Sequence, residues 1–300
     1  MSITENSRSG GDELQPRVGE ASSGSDPTPS AHGERPGHYR LSGVLKSEWT
    51  KLRSVRSTTW SLVVTAILVI GIGILATATE ADRWSHETLL QHLTFDPTSL
   101  SLTGLLLGQL AIGVLGILVM TAEYGSGTIR ATLAAVPNRL LVLLAKTAVY
   151  AVVALVVSEV LAFAAFFIGQ AILAGSAPHA VLSQAGVLRA VAGGGLYLAV
   201  LGLLALGIAT IVRHTAGAIS TFVGVLFILP LVVEALPSSI SDAVAKYLPA
   251  VIGVRMMTVH VGLRAAQAPT FGPWVGFAIL CGYAVVVLVL GGWLLVRRDA

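Results

Sequence analysis

Long apolar runs alternate with short polar segments along most of this chain. Six of the runs are about twenty residues or longer and hold few charges: 60–79, 100–120, 147–173, 190–212, 217–236 and 274–296. A helix needs roughly 20 apolar residues to cross the hydrocarbon core of a bilayer, and these runs lack the short alternating pattern of barrel strands. The pattern predicts an all-α polytopic membrane protein with six transmembrane helices.

The polar segment before the first run predicts a second kind of region. Residues 1–39 are rich in Ser, Gly, Pro and Glu and hold few large aliphatic residues, so they cannot bury enough surface to offset the entropy of ordering. They also lack the apolar core and cleavage site of a secretory signal. We expect a disordered cytoplasmic tail over 1–39 and a six-helix membrane domain over 40–300.

A basic segment just before the first span has a helical pattern of its own. In residues 41–55, LSGVLKSEWTKLRSV, apolar positions recur every three or four residues, while Lys46 and Arg53 occupy other faces. This spacing predicts an amphipathic elbow helix, over about 41–56, that lies on the inner leaflet. The alternative is a segment that does no more than fix topology through its charge.

The segment between the second and third runs also predicts a helix. Glu123 ends the second span, Gly125 and Gly127 break the helix, and residues 129–135 predict a short helix before Pro137. Such a helix suits docking to a soluble partner. The alternative is an ordinary loop whose basic residues touch only lipid phosphates; these are Arg130, Arg139 and Lys146.

Composition and charge agree with the membrane prediction and orient it. Apolar residues make up 54% of the chain and charged residues 12%, against about 45–50% and 25% in soluble proteins. From residue 40 onward, eleven Lys and Arg fall on the side that holds both ends of the domain and five on the other. The positive-inside rule therefore predicts cytoplasmic termini. Cys281, the single cysteine, excludes an intrachain disulfide.

Candidate chemistry within the spans is sparse. Glu159 is the one charged residue predicted deep in a span, and it could line a pathway or make a polar contact between helices. Pro230 predicts a kink in the fifth span. The outer segment 237–273 shows partly helical spacing, with a plain surface loop as the alternative. Glycines in the second and fourth spans predict close helix packing. No HExxH pair or intramembrane aspartate occurs, so a membrane-embedded enzyme is disfavoured.

The residues around the short helix carry a family resemblance. The order EYGSGTIRATLAAVPNRLLVLLAK, residues 123–146, resembles the segment after the second span in type-2, exporter-like ABC transporter permeases. In that family an acidic residue, a Gly-Thr pair, a short helix, a Pro-x-Arg turn and a lysine entering the third span recur. The elbow LKSEWTKLRS and the terminal RRDA are similar too, so the resemblance covers residues 41–300.

The resemblance implies a bacterial cytoplasmic-membrane subunit that is not itself an enzyme. It implies a second permease and separate nucleotide-binding subunits as partners beside the lipid bilayer, with no nucleic acid. ATP would bind those subunits, since no GxxxxGK[ST] loop occurs here, and no cofactor or metal is expected in this chain.

The family pattern implies seven positions for ATPase coupling: Lys46, Arg53, Glu123, Gly127, Thr128, Arg130 and Arg139. The low charge of the spans favours an amphipathic or lipid-like substrate, with Glu159 as the pathway candidate. Two alternatives stay open: a proton-coupled secondary transporter that uses Glu159, and a non-transporting membrane sensor or immunity protein on the same fold.

Overall fold

The computed structural model describes residues 41–135, 138–259 and 270–297, and every regular element within them is helical. The predicted tail, Pro137 and residues 260–269 of the outer segment lie outside this part. The first seven helices are α1 (Leu41–Ser54), α2 (Arg56–Arg83), α3 (Leu89–Thr94), α4 (Pro97–Ser101), α5 (Leu105–Gly125), α6 (Thr128–Ala135) and α7 (Arg139–Leu173). The others are α8 (Val187–Val212), α9 (Thr215–Val223), α10 (Leu229–Glu234), α11 (Ser238–Ala245), α12 (Pro249–Met257) and α13 (Pro273–Arg297).

Six helical segments are long and apolar enough to cross a membrane, which confirms the predicted number for the described residues. They are α2 with its 3₁₀ extension to His86, α5, α7, α8, the continuous segment Thr215–Glu234 that includes α9 and α10, and α13. The predicted fold class, all-α with six spans, is therefore correct. Helices also form at α1, where periodicity predicted one, and at α6, where glycine and proline positions predicted one.

Two span boundaries differ from the predictions. The second span was predicted over 100–120, but α5 runs over Leu105–Gly125, because the short helix α4 occupies the positions before it. The Asp96 side chain starts α4 by accepting hydrogen bonds from the backbone N–H groups of Thr98 and Ser99, at 3.0 and 3.2 Å.

The third span begins eight residues earlier than predicted. Its helix, α7, starts at Arg139, where the Asn138 side chain accepts a hydrogen bond from the Leu141 backbone at 3.1 Å. At 1.5 Å per residue its 35 residues extend about 50 Å, well beyond a hydrocarbon core of roughly 30 Å. The segment predicted as a loop up to Lys146 is therefore the first two turns of α7.

The central helix of the bundle is α8, which packs against α5, α7 and α13. Glycines permit this packing, as predicted. A Cβ atom added at Gly116 of α5 would lie 2.5 Å from the Gly202 carbonyl oxygen of α8 and 3.0 Å from the Tyr150 hydroxyl of α7. That hydroxyl donates a buried hydrogen bond of 2.8 Å to the Ile112 carbonyl. Three helices thus meet where only glycine leaves room.

The outer segment contains a helix that belongs to the bundle. In α12, Ile252, Gly253 and Met256 are buried, and the helix packs against α8 and α13. The surface-loop alternative is therefore wrong for this part of the segment, whereas α11 has no buried residue.

The fifth span is irregular near its proline. A π-helical turn over Gly224–Ile228 separates α9 from α10, and Pro230 lies in the first turn of α10. Proline has no N–H to donate, and prolines and π-bulges are both sites at which helices kink.

We predict that Gly116→Ala destabilises the protein by about 1–3 kcal/mol, because the added methyl group overpacks the α5–α8 contact. Gly71→Ala is the matched control, since a Cβ at Gly71 would have no atom within 4 Å. The measurement is thermal unfolding of both purified variants in the same detergent. Equal melting temperatures would contradict the packing described for Gly116.

Candidate functional site

Two lysines and two glutamates form a closed ring of ion pairs where α1, α5 and α7 meet. Lys146 Nζ lies 2.6 Å from Glu48 Oε2 and 2.9 Å from Glu123 Oε1. Lys51 Nζ lies 2.8 Å from Glu48 Oε1 and 2.9 Å from Glu123 Oε1. Each ammonium group therefore contacts both carboxylates. We call these four side chains the charge ring.

The charge ring is largely shielded from solvent. The side chains of Lys146 and Glu48 are each 4% exposed, and that of Glu123 is 11% exposed. Lys51 is the outer member at 37%. Removing charges from water is costly, and that cost is offset only when every charge has a partner of opposite sign. The ring meets this condition because its two positive and two negative charges balance.

Electrostatics keep Lys51 charged. Burial acts to lower its pKa, but hydrogen bonds and Coulomb attraction from Glu48 and Glu123 outweigh burial, so the pKa lies above its ordinary value. Lys51 therefore remains an ammonium donor at physiological pH.

Local sequence places each member of the ring. Glu48 and Lys51 are three residues apart on α1, so they lie on one helix face. Glu123 is in the last turn of α5, which ends at Gly125. Lys146 lies two turns into α7. The helix fixes the position of this residue, which a loop would not have done.

The ring also reaches α6. Lys51 Nζ lies 3.3 Å from Thr132 Oγ1 of that helix. The chain enters α6 through Gly127, whose φ of +71° falls in the left-handed region that favours glycine. The Ser126 and Thr128 hydroxyl oxygens lie 2.8 Å apart at this turn. As a result, α6 is connected to α1 through Lys51.

A cavity of about 270 Å³ lies beside the charge ring. Apolar side chains form much of its wall, and the members of the ring supply polar groups. The lining residues include Leu52, Val55, Leu118, Val119 and Val149 with Glu48, Lys51, Glu123 and Lys146.

The structure brings some of the predicted coupling residues together and separates others. Glu123 is in the ring, and Gly127 and Thr128 form the entrance to α6. Lys46 and Arg53 are exposed on α1, outside the ring. Arg130 lies on α6, but its side chain is outside the described part of the structure.

Arg139 caps the last span. Its Nη1 donates to the Leu295 carbonyl at 3.1 Å, and Arg213 Nη2 donates to the neighbouring Leu294 carbonyl at 3.1 Å. Both carbonyls are in the last turn of α13, where helix carbonyls lack partners and positive charge is favourable. Arg139, which was predicted as a coupling residue, and Arg213 thus both hold the end of α13.

Sequence reasoning missed three of the four ring members as site residues. Glu48 and Lys51 lie within the predicted elbow segment but were not predicted as site residues, and Lys146 was predicted as a family landmark or a lipid contact. The lipid-phosphate alternative is wrong for Lys146, which is buried against two carboxylates. The sequence did contain one indication of a buried partner for Glu48, because Glu48 is the only acidic residue in the otherwise basic helix α1.

Glu159 lies near the middle of α7 and is half-buried. It packs against α8 at Gly195, where an added Cβ would lie 2.6 Å from the Glu159 carboxyl carbon. Glycine thus makes room for the Glu159 carboxyl group where α7 packs against α8. Within the described residues, no cluster of His, Cys, Asp or Glu could hold a metal ion.

We predict that Lys146→Met lowers the free energy of unfolding by about 3–5 kcal/mol, because it leaves two buried carboxylates with one ammonium group. Adding Glu123→Gln to this variant restores charge balance and should recover part of the loss. Lys46→Met, on the exposed face of α1, is the control. Denaturant unfolding in detergent measures all three, and a Lys146→Met protein as stable as the control would refute the energetic role of the ring.

Comparison with known proteins identifies the family. A search among curated proteins finds no match. Residues 44–235, more than half of the chain, match the family described as ABC-2 family transporter protein. The matched range contains most of α1, all of α6 and all four members of the charge ring. With its six candidate membrane-spanning helices, the chain belongs to the ABC-2 family of transporter proteins as a membrane-spanning permease.

Proposed function

We propose that this permease is the membrane subunit of an ATP-driven exporter in the bacterial cytoplasmic membrane. It pairs with a second permease and with separate nucleotide-binding subunits, which bind and hydrolyse ATP. The observation that carries the proposal is the link among α1, α5, α6 and α7 through the charge ring. A short helix between two spans is the part best placed to receive motion from a soluble ATPase.

The ring gives that motion a route into the spans. A displacement of α6 reaches Lys51 through Thr132, and Lys51 contacts carboxylates on both α1 and α5. Lys146 extends the connection to α7. Because separating buried charges is costly, α1, α5 and α7 move as one unit when α6 is pushed. In this proposal, ATP hydrolysis is coupled to the spans by movement of α6 and of the helices connected to it.

Charge positions support cytoplasmic termini, and tryptophan positions support the placement of span ends at the membrane interface. The basic residues of α1 and the last turn of α13 fall at the same end as α6, as the positive-inside rule requires. Trp293, one turn from the end of α13, has the Arg297 guanidinium 4.4 Å from its ring centre. Such aromatic and basic pairs suit the interface between lipid and water.

The apolar surfaces of the spans support the membrane and the second permease as partners. Large side chains project from α2 and α10, among them Ile67, Leu75 and Leu231. Their surroundings in the cell are lipid chains or a second permease. An amphipathic or lipid-like substrate fits spans that carry so few charges.

We predict that the tagged protein, purified from its native membrane in mild detergent, carries a soluble subunit that hydrolyses ATP. Arg130→Glu should abolish this association, because it reverses a charge on the docking helix α6. Arg83→Glu is the control, since Arg83 is an exposed arginine at the opposite end of the first span.

A second charge reversal, Arg139→Glu, should also weaken binding of the ATPase, but it affects the stability of the protein as well. That change also removes the hydrogen bond to Leu295, so loss of the ATPase counts as a docking effect only if the melting temperature is unchanged. Two results would contradict the proposed exporter. One is purification of the wild-type chain without an ATPase, and the other is purification of Arg130→Glu with as much ATPase as the wild type.

Glu159 is the proposed pathway residue, and it also distinguishes the exporter from a proton-driven carrier. It lies thirteen residues beyond Lys146, or about 20 Å along the helix, so Glu159→Gln should leave the ATPase subunit bound. We predict no proton flux without ATP in proteoliposomes that contain either the wild-type protein or this variant, measured with a pH-sensitive dye. Glu234→Gln, at the exposed end of α10, is the control. Proton flux in the wild type that Glu159→Gln abolishes would favour the secondary transporter.

A further inference from the structure

The short helix α3, which is not a span, carries an exposed apolar face. Its three leucines, Leu89, Leu90 and Leu93, are between 63% and 75% exposed. At 3.6 residues per turn they fall within about 100° of one another around the helix. The polar residues Gln91 and His92 occupy other directions. We call the three leucines the leucine face, and α3 is therefore an amphipathic helix.

A different side of α3 is held by the end of α2. The His92 ring stacks on the Trp84 ring with the ring centres 4.1 Å apart, and His92 Nε2 lies 3.1 Å from the Trp84 carbonyl oxygen. The Phe95 ring, just after α3, lies 4.8 Å from the Trp84 ring. The Thr88 side chain starts the helix by accepting a hydrogen bond from the Gln91 backbone N–H. These contacts fix α3 beside Trp84 and leave the leucine face exposed.

Contacts of the next helix, α4, show how deep this region lies. A Cβ atom added at Gly73, within the apolar run of α2, would lie 2.8 Å from the Ser101 carbonyl oxygen at the end of α4. Gln170, within the apolar run of α7, donates hydrogen bonds of 2.8 Å to the Pro97 carbonyl oxygen and to the Ser101 hydroxyl group. The helix α4 therefore lies beside two membrane-spanning helices, within the length of their apolar runs.

The helix α3 lies at the level where the apolar run of α2 ends. That run ends at Thr79, and Glu80 is the first charged residue after it. Glu80 and Gln91 line one cavity of about 300 Å³, so α3 is level with the first charges beyond the run. Trp84 follows Thr79 by five residues, or about 8 Å along the helix. The headgroup region extends about 5–8 Å beyond the hydrocarbon core, and tryptophan favours it.

This level restricts what covers the leucine face. A helix of six residues is marginal in water without further support, and water would leave the three leucines hydrated. The exposed apolar surface of α2, which includes Leu75 at 67%, ends just before α3, so a bilayer around α2 also reaches the leucine face. Amphipathic helices at a membrane surface place their apolar side among the acyl chains and their polar side among the headgroups.

We propose that α3 is an interfacial helix whose leucine face inserts into the membrane surface at the end of α2 opposite α1. The lipid surface covers the leucines, and the Trp84 stack attaches the inserted helix to the first span. This proposal does not depend on the exporter function, because insertion is measured without ATPase or transport.

The first test measures what surrounds each side of α3. In the full chain, Cys281→Ala removes the single cysteine, and Leu93→Cys or Gln91→Cys then carries a nitroxide spin label in lipid nanodiscs. Gln91 is about 160° from Leu93 around the helix, and Gln91→Cys keeps the backbone N–H that Thr88 caps. Power saturation compares collisions with oxygen, which is enriched in lipid, and with nickel-EDDA, which is enriched in water. We expect the oxygen-to-nickel ratio to be several-fold larger at Leu93 than at Gln91.

Leu75→Cys on α2 supplies the lipid reference for these ratios. Equal ratios at Leu93 and Gln91 would overturn the proposal. A Leu93 label that collides mainly with nickel-EDDA would place the leucine face in water. A Leu93 label that is shielded from both reagents would show that protein covers the leucine face, such as a second copy of the chain. Either result would also overturn the proposal.

A variant tests whether insertion keeps α3 folded. Leu89→Ala with Leu93→Ala removes apolar surface without lowering helix propensity. In nanodiscs, the amides of residues 89–94 should then exchange hydrogen for deuterium several-fold faster than in the wild type, while those of α4 keep their rate. Leu75→Ala is the matched control and should leave exchange in α3 unchanged. The same exchange rate in the double variant as in the wild type would overturn the role of the leucine face.

Discussion

The balance of two positive and two negative charges in a buried site determines how α1, α5 and α7 lie against one another. Each ammonium group of the charge ring contacts carboxylates on two helices, so none of α1, α5 and α7 can separate without leaving a charge unpaired in a poorly solvated place. A ring of this kind need not add net stability over apolar residues. Its consequence is specificity, because only one arrangement of the three helices pairs all four charges.

The rest of the bundle depends on close packing instead of charge. Lipid chains are as apolar as the side chains of the spans, so association of helices relies on van der Waals contact. Small residues make that contact possible along α8. Gly202 meets Gly116 and Tyr150, while Gly195 makes room for the Glu159 carboxyl group. The central helix is thereby fixed, whereas α2 and α10 carry large exposed apolar side chains.

Basic residues at the elbow end have two compatible roles. The positive-inside rule accounts for their distribution over the chain, and the structure gives several of them specific partners. Arg139 and Arg213 bind adjacent carbonyls at the end of α13, and Lys146 completes the charge ring. A charge that orients the chain during insertion can afterwards hold two helices together. The charge ring also connects α1 with α6 through Lys51, and these are the two helices to which the proposal assigns ATPase coupling.

The sequence by itself determined the features that depend on neighbouring residues. Apolar run length predicted six spans, periodicity predicted α1, and glycine and proline positions predicted α6, because each rests on local geometry. The ends of the spans were predicted less accurately, since α7 starts eight residues before the predicted start of the third span. The charge ring could not be predicted, since Glu48 and Lys146 are 98 residues apart in the chain and charge patterns alone do not say which helices become neighbours. The cavity beside the ring likewise exists only in the tertiary structure, because it depends on how three helix surfaces meet.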